Sequence, residues 1–172
     1  MLFISPKQLS RKLLKLEIMS TSHIYPGAAT LSAYITIKGC AEAIEFYKKA
    51  FGAKEGLKLL LPNGLIAHAE IEIEGSLLMM AEENLEWGNK SPLTIGGNPM
   101  TFGLYVTDVD KAFQKAVDAG ATVAMPVADM FYGDRVGQVV DPYGYKWMIA
   151  THKEDVSHEE MQKRSDKMFS GK

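Results

Sequence analysis

A shift of 69 residues lays one stretch of this chain over another. Ser32-Ala-Tyr-Ile-Thr-Ile37 falls on Thr101-Phe-Gly-Leu-Tyr-Val106, and Gly75, Met79 and Met80 fall on Gly144, Met148 and Ile149. Each half, 32–82 and 101–151, reads as strand, helix and three strands. Strand 32–37 alternates Ser, Tyr and Thr with Ala33, Ile35 and Ile37, the period of a half-buried strand. Helix 40–51 sets Ile44, Tyr47 and Phe51 on one stripe, and Gly52 ends it. Pro62-Asn63-Gly64 predicts a turn between two strands. Strands 65–74 and 76–82 meet at Gly75. The second half predicts strand 101–106, helix 108–119, and strands near 121–127, 134–140 and 145–151, the last two joined by Asp141-Pro142-Tyr143-Gly144. Ser157-x-x-Glu160 opens a C-terminal helix. Residues 83–98 form a long link, a kind of loop that often covers a site.

A helix needs the apolar face of its sheet, here Ala33, Ile35, Ile37, Ala67, Ala69, Ile71 and Ile73. We therefore expect an α+β fold: two tandem βαβββ repeats, side by side, forming a curved mixed sheet with helices on the convex face and a cleft on the concave face. Residues 1–29 read as an N-terminal extension, 30–152 as one domain and 153–172 as a helical tail. Residues 1–18 are basic and helical in pattern. They suit an extension without function, an organelle transit peptide or a membrane-surface helix, and Met19 opens a segment that would serve as an ordinary N-terminus.

With 172 residues and 23% of them charged, the chain is long enough to bury a core without a staple. A net charge of −2 argues against a nucleic-acid grip, which needs a basic surface. One cysteine excludes an intrachain disulfide and a cysteine-based zinc cluster. No apolar run reaches the roughly 18 residues that span a bilayer. The expectation is a cytoplasmic protein with a small-molecule ligand and neither nucleic-acid nor membrane partners.

The mixed face carries the chemistry. His68 and Glu70 lie two apart on one strand, hence on one face, and Glu72 follows. A carboxylate beside an imidazole can move a proton near neutral pH. It can equally supply two ligands of a displaced metal site, or be the wet side of an edge strand. We take His68 and Glu70 as candidate catalytic residues. Tyr34, Tyr105, Phe131, Tyr132 and Trp87 are candidate aromatic walls, with Tyr34 and Tyr105 in near-equivalent places. Aromatic faces with acids nearby suit a cationic or planar ligand. Arg135 can hold a carboxylate or phosphate, or pair with a neighbouring acid. Asp141 reads as a turn residue. Gly96-Gly97 lacks the spacing of a phosphate loop. Cys40 sits at a helix start, where a thiol pKa can fall, but reads better as a small residue in the entry turn. His152 and His158 read as surface residues.

Several stretches resemble the vicinal oxygen chelate superfamily, which includes glyoxalase I, bleomycin-resistance proteins, fosfomycin-resistance enzymes and extradiol dioxygenases. They look more narrowly like its PhnB-like branch: Ala43-Ile-Glu-Phe-Tyr-Lys-Lys-Ala-Phe-Gly52, His68-Ala-Glu70, Met125-Pro-Val-Ala-Asp129, Gly133-Asp-Arg135, Asp141-Pro-Tyr-Gly144 and Ala150-Thr-His152. The resemblance covers about residues 30–160. It implies metal-ligand positions at Ser32, Met79, Thr101 and Met148, none a good ligand for a hard divalent cation. It therefore implies a protein without metal or other cofactor, similar to bleomycin-resistance proteins, and a homodimer whose clefts lie at or beside the contact. We expect a binding protein for a small cationic or aromatic molecule, held by Tyr34, His68, Glu70, Glu72, Trp87, Thr101, Tyr105, Phe131, Tyr132 and Arg135. The alternatives are a glyoxalase- or isomerase-type enzyme and a structural domain that keeps only the fold, so enzymatic activity stays open.

Overall fold

The computed structural model describes residues 22–170. The expectations for residues 1–18 lie outside that range. Residues 22–31 carry turns without a helix or strand. Ser32 opens the compact unit that holds both halves of the repeat.

The first half runs β1 (Ala33–Ile37), α1 (Cys40–Phe51), β2 (Lys54–Leu60), β3 (Ile66–Ile73) and β4 (Ser76–Glu82). After a single helical turn, α2 (Pro92–Ile95), the second half repeats the order: β5 (Thr101–Tyr105), α3 (Val109–Asp118), β6 (Thr122–Asp129), β7 (Asp134–Val140) and β8 (Lys146–His152). A last helix, α4 (His158–Phe169), follows, and the Ser157 hydroxyl accepts from the Glu160 amide at its start, as the capping box predicts. The strand orders are β1-β4-β3-β2 and β5-β8-β7-β6. In each sheet one parallel pair joins two antiparallel ones. This is the tandem βαβββ architecture, drawn by the described residues as two four-stranded sheets.

Helix α1 begins where Gly39, at φ 85°, turns the chain left-handed. The Glu82 carboxylate accepts from the Gly39 and Cys40 amides at 2.8 Å each, satisfying donors that a helix start leaves bare. The same carboxylate, with burial as the larger cause, pushes the Cys40 thiol up to about 12. Cys40 is a buried packing residue, and no helix-start activation of its thiol survives.

Each helix covers the apolar face of its own sheet, as expected of two tandem βαβββ repeats. The two long helices, α1 and α3, also pack against each other. Phe51 of α1 packs on Trp147 of β8 with ring centroids 4.5 Å apart, and Tyr47 lies 5.6 Å from the same ring. One core therefore joins Ile35, Ile44, Ile71 and Met80 to Leu104, Val139, Trp147 and Ile149. The alternation of each strand shows which face is apolar, but not that Trp147 of the other half packs against Tyr47 and Phe51 of α1. Asp141 anchors this junction. It is 3% exposed and accepts from the Tyr47 hydroxyl at 2.8 Å, Trp147 Nε1 at 3.0 Å, and the Tyr143 and Tyr145 amides at 2.9 Å each. A residue that reads as an ordinary turn former is the polar hub between the halves.

Candidate functional site

Because each helix covers the apolar face of its own sheet, the mixed face is left on the opposite side. On the first sheet Tyr34 pairs with Met79 and Met79 with Glu70, so Tyr34 and Glu70 lie two strands apart in one row. His68 is one side chain further along that face of β3. The Tyr34 hydroxyl lies 3.1 Å from His68 Nδ1, and His68 Nε2 lies 3.1 Å from Glu70 Oε1. A carboxylate only accepts, so Nε2 carries the imidazole proton and Nδ1 accepts from the phenol. Glu70 is 8% exposed and Tyr34 52%, so the chain of bonds runs from a buried acid to an open phenol. Desolvation is the main reason the Tyr34 pKa is raised. Tyr34 lines a recess of about 240 Å³ together with Ile66, Ala81, Glu82, Glu83 and Trp87. Glu83 accepts from the Ser91 amide at 2.7 Å and hydroxyl at 2.8 Å, which ties the linker down beside the recess. Trp87, on that linker, is 68% exposed. Glu72 shares the face of His68 and Glu70 but pairs with Lys54 at 2.9 Å.

The other candidate residues stand on the second half. Tyr105 donates to Asp134 Oδ2 at 2.7 Å, and His152 Nδ1 lies 2.7 Å from Asp134 Oδ1. His152 Nε2 reaches Asp155 at 3.0 Å. Phe131 stands edge-on to Tyr132 at 5.2 Å and to Phe169 of α4 at 6.5 Å. Thr101 is exposed at the start of β5. The Arg135 guanidinium is occupied: it donates twice to Asp110 at 2.8 Å and to Asp129 at 3.1 Å. Alternate residues of a strand face opposite ways, which sends Arg135 to α3 and β6 and away from its neighbour Asp134. As an anchor for an anion it is already satisfied.

The repeat does not build the site twice. The row Tyr34–Met79–Glu70 becomes Gly103–Met148–Gln138 in the second half. Glycine and glutamine stand where the first half has its phenol and acid. Tyr105 lies two residues beyond the equivalent of Tyr34, and its partner is a carboxylate instead of an imidazole.

Sequence reasoning missed the Asp134–His152 pair. The two residues are direct cross-strand partners, a fact that needs the register of the β7–β8 hairpin. With two acids on its ring nitrogens, His152 has its pKa raised, chiefly by the bond to Asp134. A raised folded pKa means stabilisation fully present below the unfolded value, near 6.5, and lost as pH rises through the folded value. Urea midpoints measured from about pH 5 to 9 should fall with pH across that window. His152→Gln should flatten the slope, and an unchanged slope would remove His152 as its source.

Ser32, Met79, Thr101 and Met148 offer two hydroxyls and two thioethers. The register places Met79 between Tyr34 and Glu70, and Met148 beside Gly103 and Gln138. Such a donor set does not fit a hard divalent cation.

The sequence profile of the Glyoxalase/Bleomycin resistance protein/Dioxygenase superfamily matches residues 29–149. The protein Rv0887c of Mycobacterium tuberculosis is 40% identical over 135 residues, 77% of this chain and 79% of that protein. The Arabidopsis thaliana protein At5g48480 is 32% identical over 126 residues, 69% of this chain and 75% of its own length. The crystal structure of that Arabidopsis protein superposes with a TM-score of 0.59 at 29% identity, over 71% of this chain and 98% of that one. The structure of the PhnB protein from Bacillus cereus shares the fold, with a TM-score of 0.55 at 17% identity over 72% and 99%. The profile match, the 40% relative and the two βαβββ halves together establish that this chain belongs to the Glyoxalase/Bleomycin resistance protein/Dioxygenase superfamily.

Proposed function

We propose that this protein binds a small cationic or aromatic molecule at the outer face of its first half, without the divalent metal typical of the superfamily. The carrying observation is the recess beside the Tyr34–His68–Glu70 chain. Its lining holds two carboxylates, Glu82 and Glu83, and two aromatic rings, Tyr34 and Trp87, but no Lys or Arg. Aromatic faces backed by acids attract cations and planar rings. The likeness to the Bacillus PhnB protein and the stretches read in the sequence support a PhnB-like placement within the superfamily.

Dimerisation is part of this reading. Each half leaves one sheet face outward, and strand β2 is exposed along its whole length, with Leu57, Leu59 and Leu60 in the open. A bare apolar edge strand invites a partner, and a two-fold homodimer satisfies both copies at once. Light scattering at micromolar concentration should give near twice 19.0 kDa. A strict monomer would count against it.

Binding is tested by thermal shift with cationic, neutral and anionic aromatic compounds. Cationic or neutral aromatics should raise the melting temperature most. Trp87→Ala, at an exposed position, should weaken them about tenfold by removing a stacking surface. Glu70→Gln keeps the shape, removes a charge, and should weaken cations more than neutral compounds. If phosphonates or carboxylates gave the largest shifts, the reading would fail.

A further inference from the structure

The Tyr34–His68–Glu70 chain has the form of a proton relay as well as of a binding wall. Glu70 is buried and holds Nε2–H of His68, which leaves Nδ1 as a base. That base receives the hydroxyl proton of Tyr34, the one member of the chain that both lines the recess and is half exposed. We propose that Tyr34, backed by His68 and Glu70, removes and returns a proton on a cationic carbonyl compound seated in the recess, at a carbon between the carbonyl and a quaternary or protonated amine. The proposal rests on the binding reading above and adds an activity to it.

The step balances without a co-reactant. As the substrate C–H proton passes to the Tyr34 oxygen, the Tyr34 proton passes to His68 Nδ1. The C–H electron pair stays on the substrate as an enolate. His68 becomes an imidazolium, with its Nε2–H still on the Glu70 carboxylate. Reversal returns a proton to the same carbon or to the enolate's other end, so the chemistry is exchange, racemisation or isomerisation. The substrate class follows from charge. The recess lining has Glu82 and Glu83 and no basic residue, so a neutral substrate would put a net anion among carboxylates. A cationic one becomes net neutral. Of the other charges nearby, Glu72 is held by Lys54, Lys58 on the neighbouring β2 pairs with Glu55, and Cys40, which bears on Tyr34, keeps its proton. Met79 and Ala81 of β4 do not titrate. Tyr34 is the catalytic residue of this scheme, His68 relays the proton, and Glu70 is a positioning residue.

The probe is phenacyltrimethylammonium, a cationic aromatic ketone, followed by proton NMR as its methylene exchanges in D₂O. The protein should accelerate exchange about a hundredfold over buffer. Tyr34→Phe and His68→Gln should return the rate to that of buffer while the probe still raises the melting temperature. Glu70→Gln should lower the rate at saturating probe about tenfold and change the His68 tautomer read by nitrogen-15 NMR, which a merely structural role would not do. Probe binding without acceleration, or full acceleration by Tyr34→Phe, overturns the relay and leaves the binding reading intact. A probe that neither binds nor exchanges overturns the cationic-ligand reading and the relay's substrate with it. Nitrogen-15 NMR of ligand-free protein gives an arm independent of any probe. His68 should carry its proton on Nε2, and a proton on Nδ1 instead would overturn the relay.

Discussion

Replacing Asp141 by alanine should lower folding stability by about 4 kcal/mol, among the largest effects a single substitution produces. The loss strands four donors in the interior: the Tyr47 hydroxyl, Trp147 Nε1 and the amides of Tyr143 and Tyr145. Each buried donor left bare costs about 1–3 kcal/mol, and part of that returns as water or small shifts reach them. Asp141→Asn should be milder, because one oxygen remains for the two amides while the new NH₂ faces the indole N–H. The carboxyl's pKa is raised, since burial outweighs the four bonds that pull it down. A raised acid favours its protonated form in the fold, so this group's contribution falls as pH rises through the window above the ordinary value of 3.8. Asp141→Asn should remove that part of the acid-range slope. Denaturant titrations read both effects, and a loss under about 1 kcal/mol for the alanine variant would show that Asp141 is not the hub described.

Gly133→Ala should be nearly as damaging, at about 3 kcal/mol, through backbone conformation and direct collision together. Gly133 has φ 98°, and an added methyl group would stand 2.1 Å from the Glu154 carbonyl oxygen and 3.0 Å from Val156. The segment cannot swing away cheaply, because the Gly133 carbonyl accepts from the amides of Lys153 and Glu154. Gly64 is the matched control: it has φ 84° but open space around it, so Gly64→Ala reports the cost of the dihedral alone. If the two variants melted alike, the collision would contribute nothing.

What the sequence makes legible here is local or periodic. Helix α1 was readable over its observed span, Cys40–Phe51, from its apolar stripe and the glycine that ends it. The repeat made the second half readable from the first. His68 and Glu70 were readable as neighbours because strand geometry puts i and i+2 on one face. Tyr34 was readable only as an aromatic wall. Its bond to His68 depends on β4 lying between β1 and β3. The same limit hid the Asp134–His152 pair and the role of Asp141, whose partner Tyr47 lies far back in the chain. Arg135 shows the limit in reverse: the adjacent Asp134 draws attention, but the bonds go to Asp110 and Asp129. Periodicity shows which face is apolar, and is silent on what arrives to cover it.

The Tyr47–Asp141 bond spans 94 residues of chain, and that separation has a consequence for biosynthesis. At the usual pace of about 5–20 residues per second, the ribosome takes roughly 5–20 s to pass from one partner to the other. Through that interval the first half can pair its strands, but the side of α1 bearing Tyr47 and Phe51 has no Trp147 to rest on. A nascent chain arrested between the halves should display that aromatic strip as a docking site for chaperones. A circular permutant that makes the second half first would instead leave Trp147 and Phe102 bare while it waits for α1. The same finished core would then be reached past a different set of exposed rings.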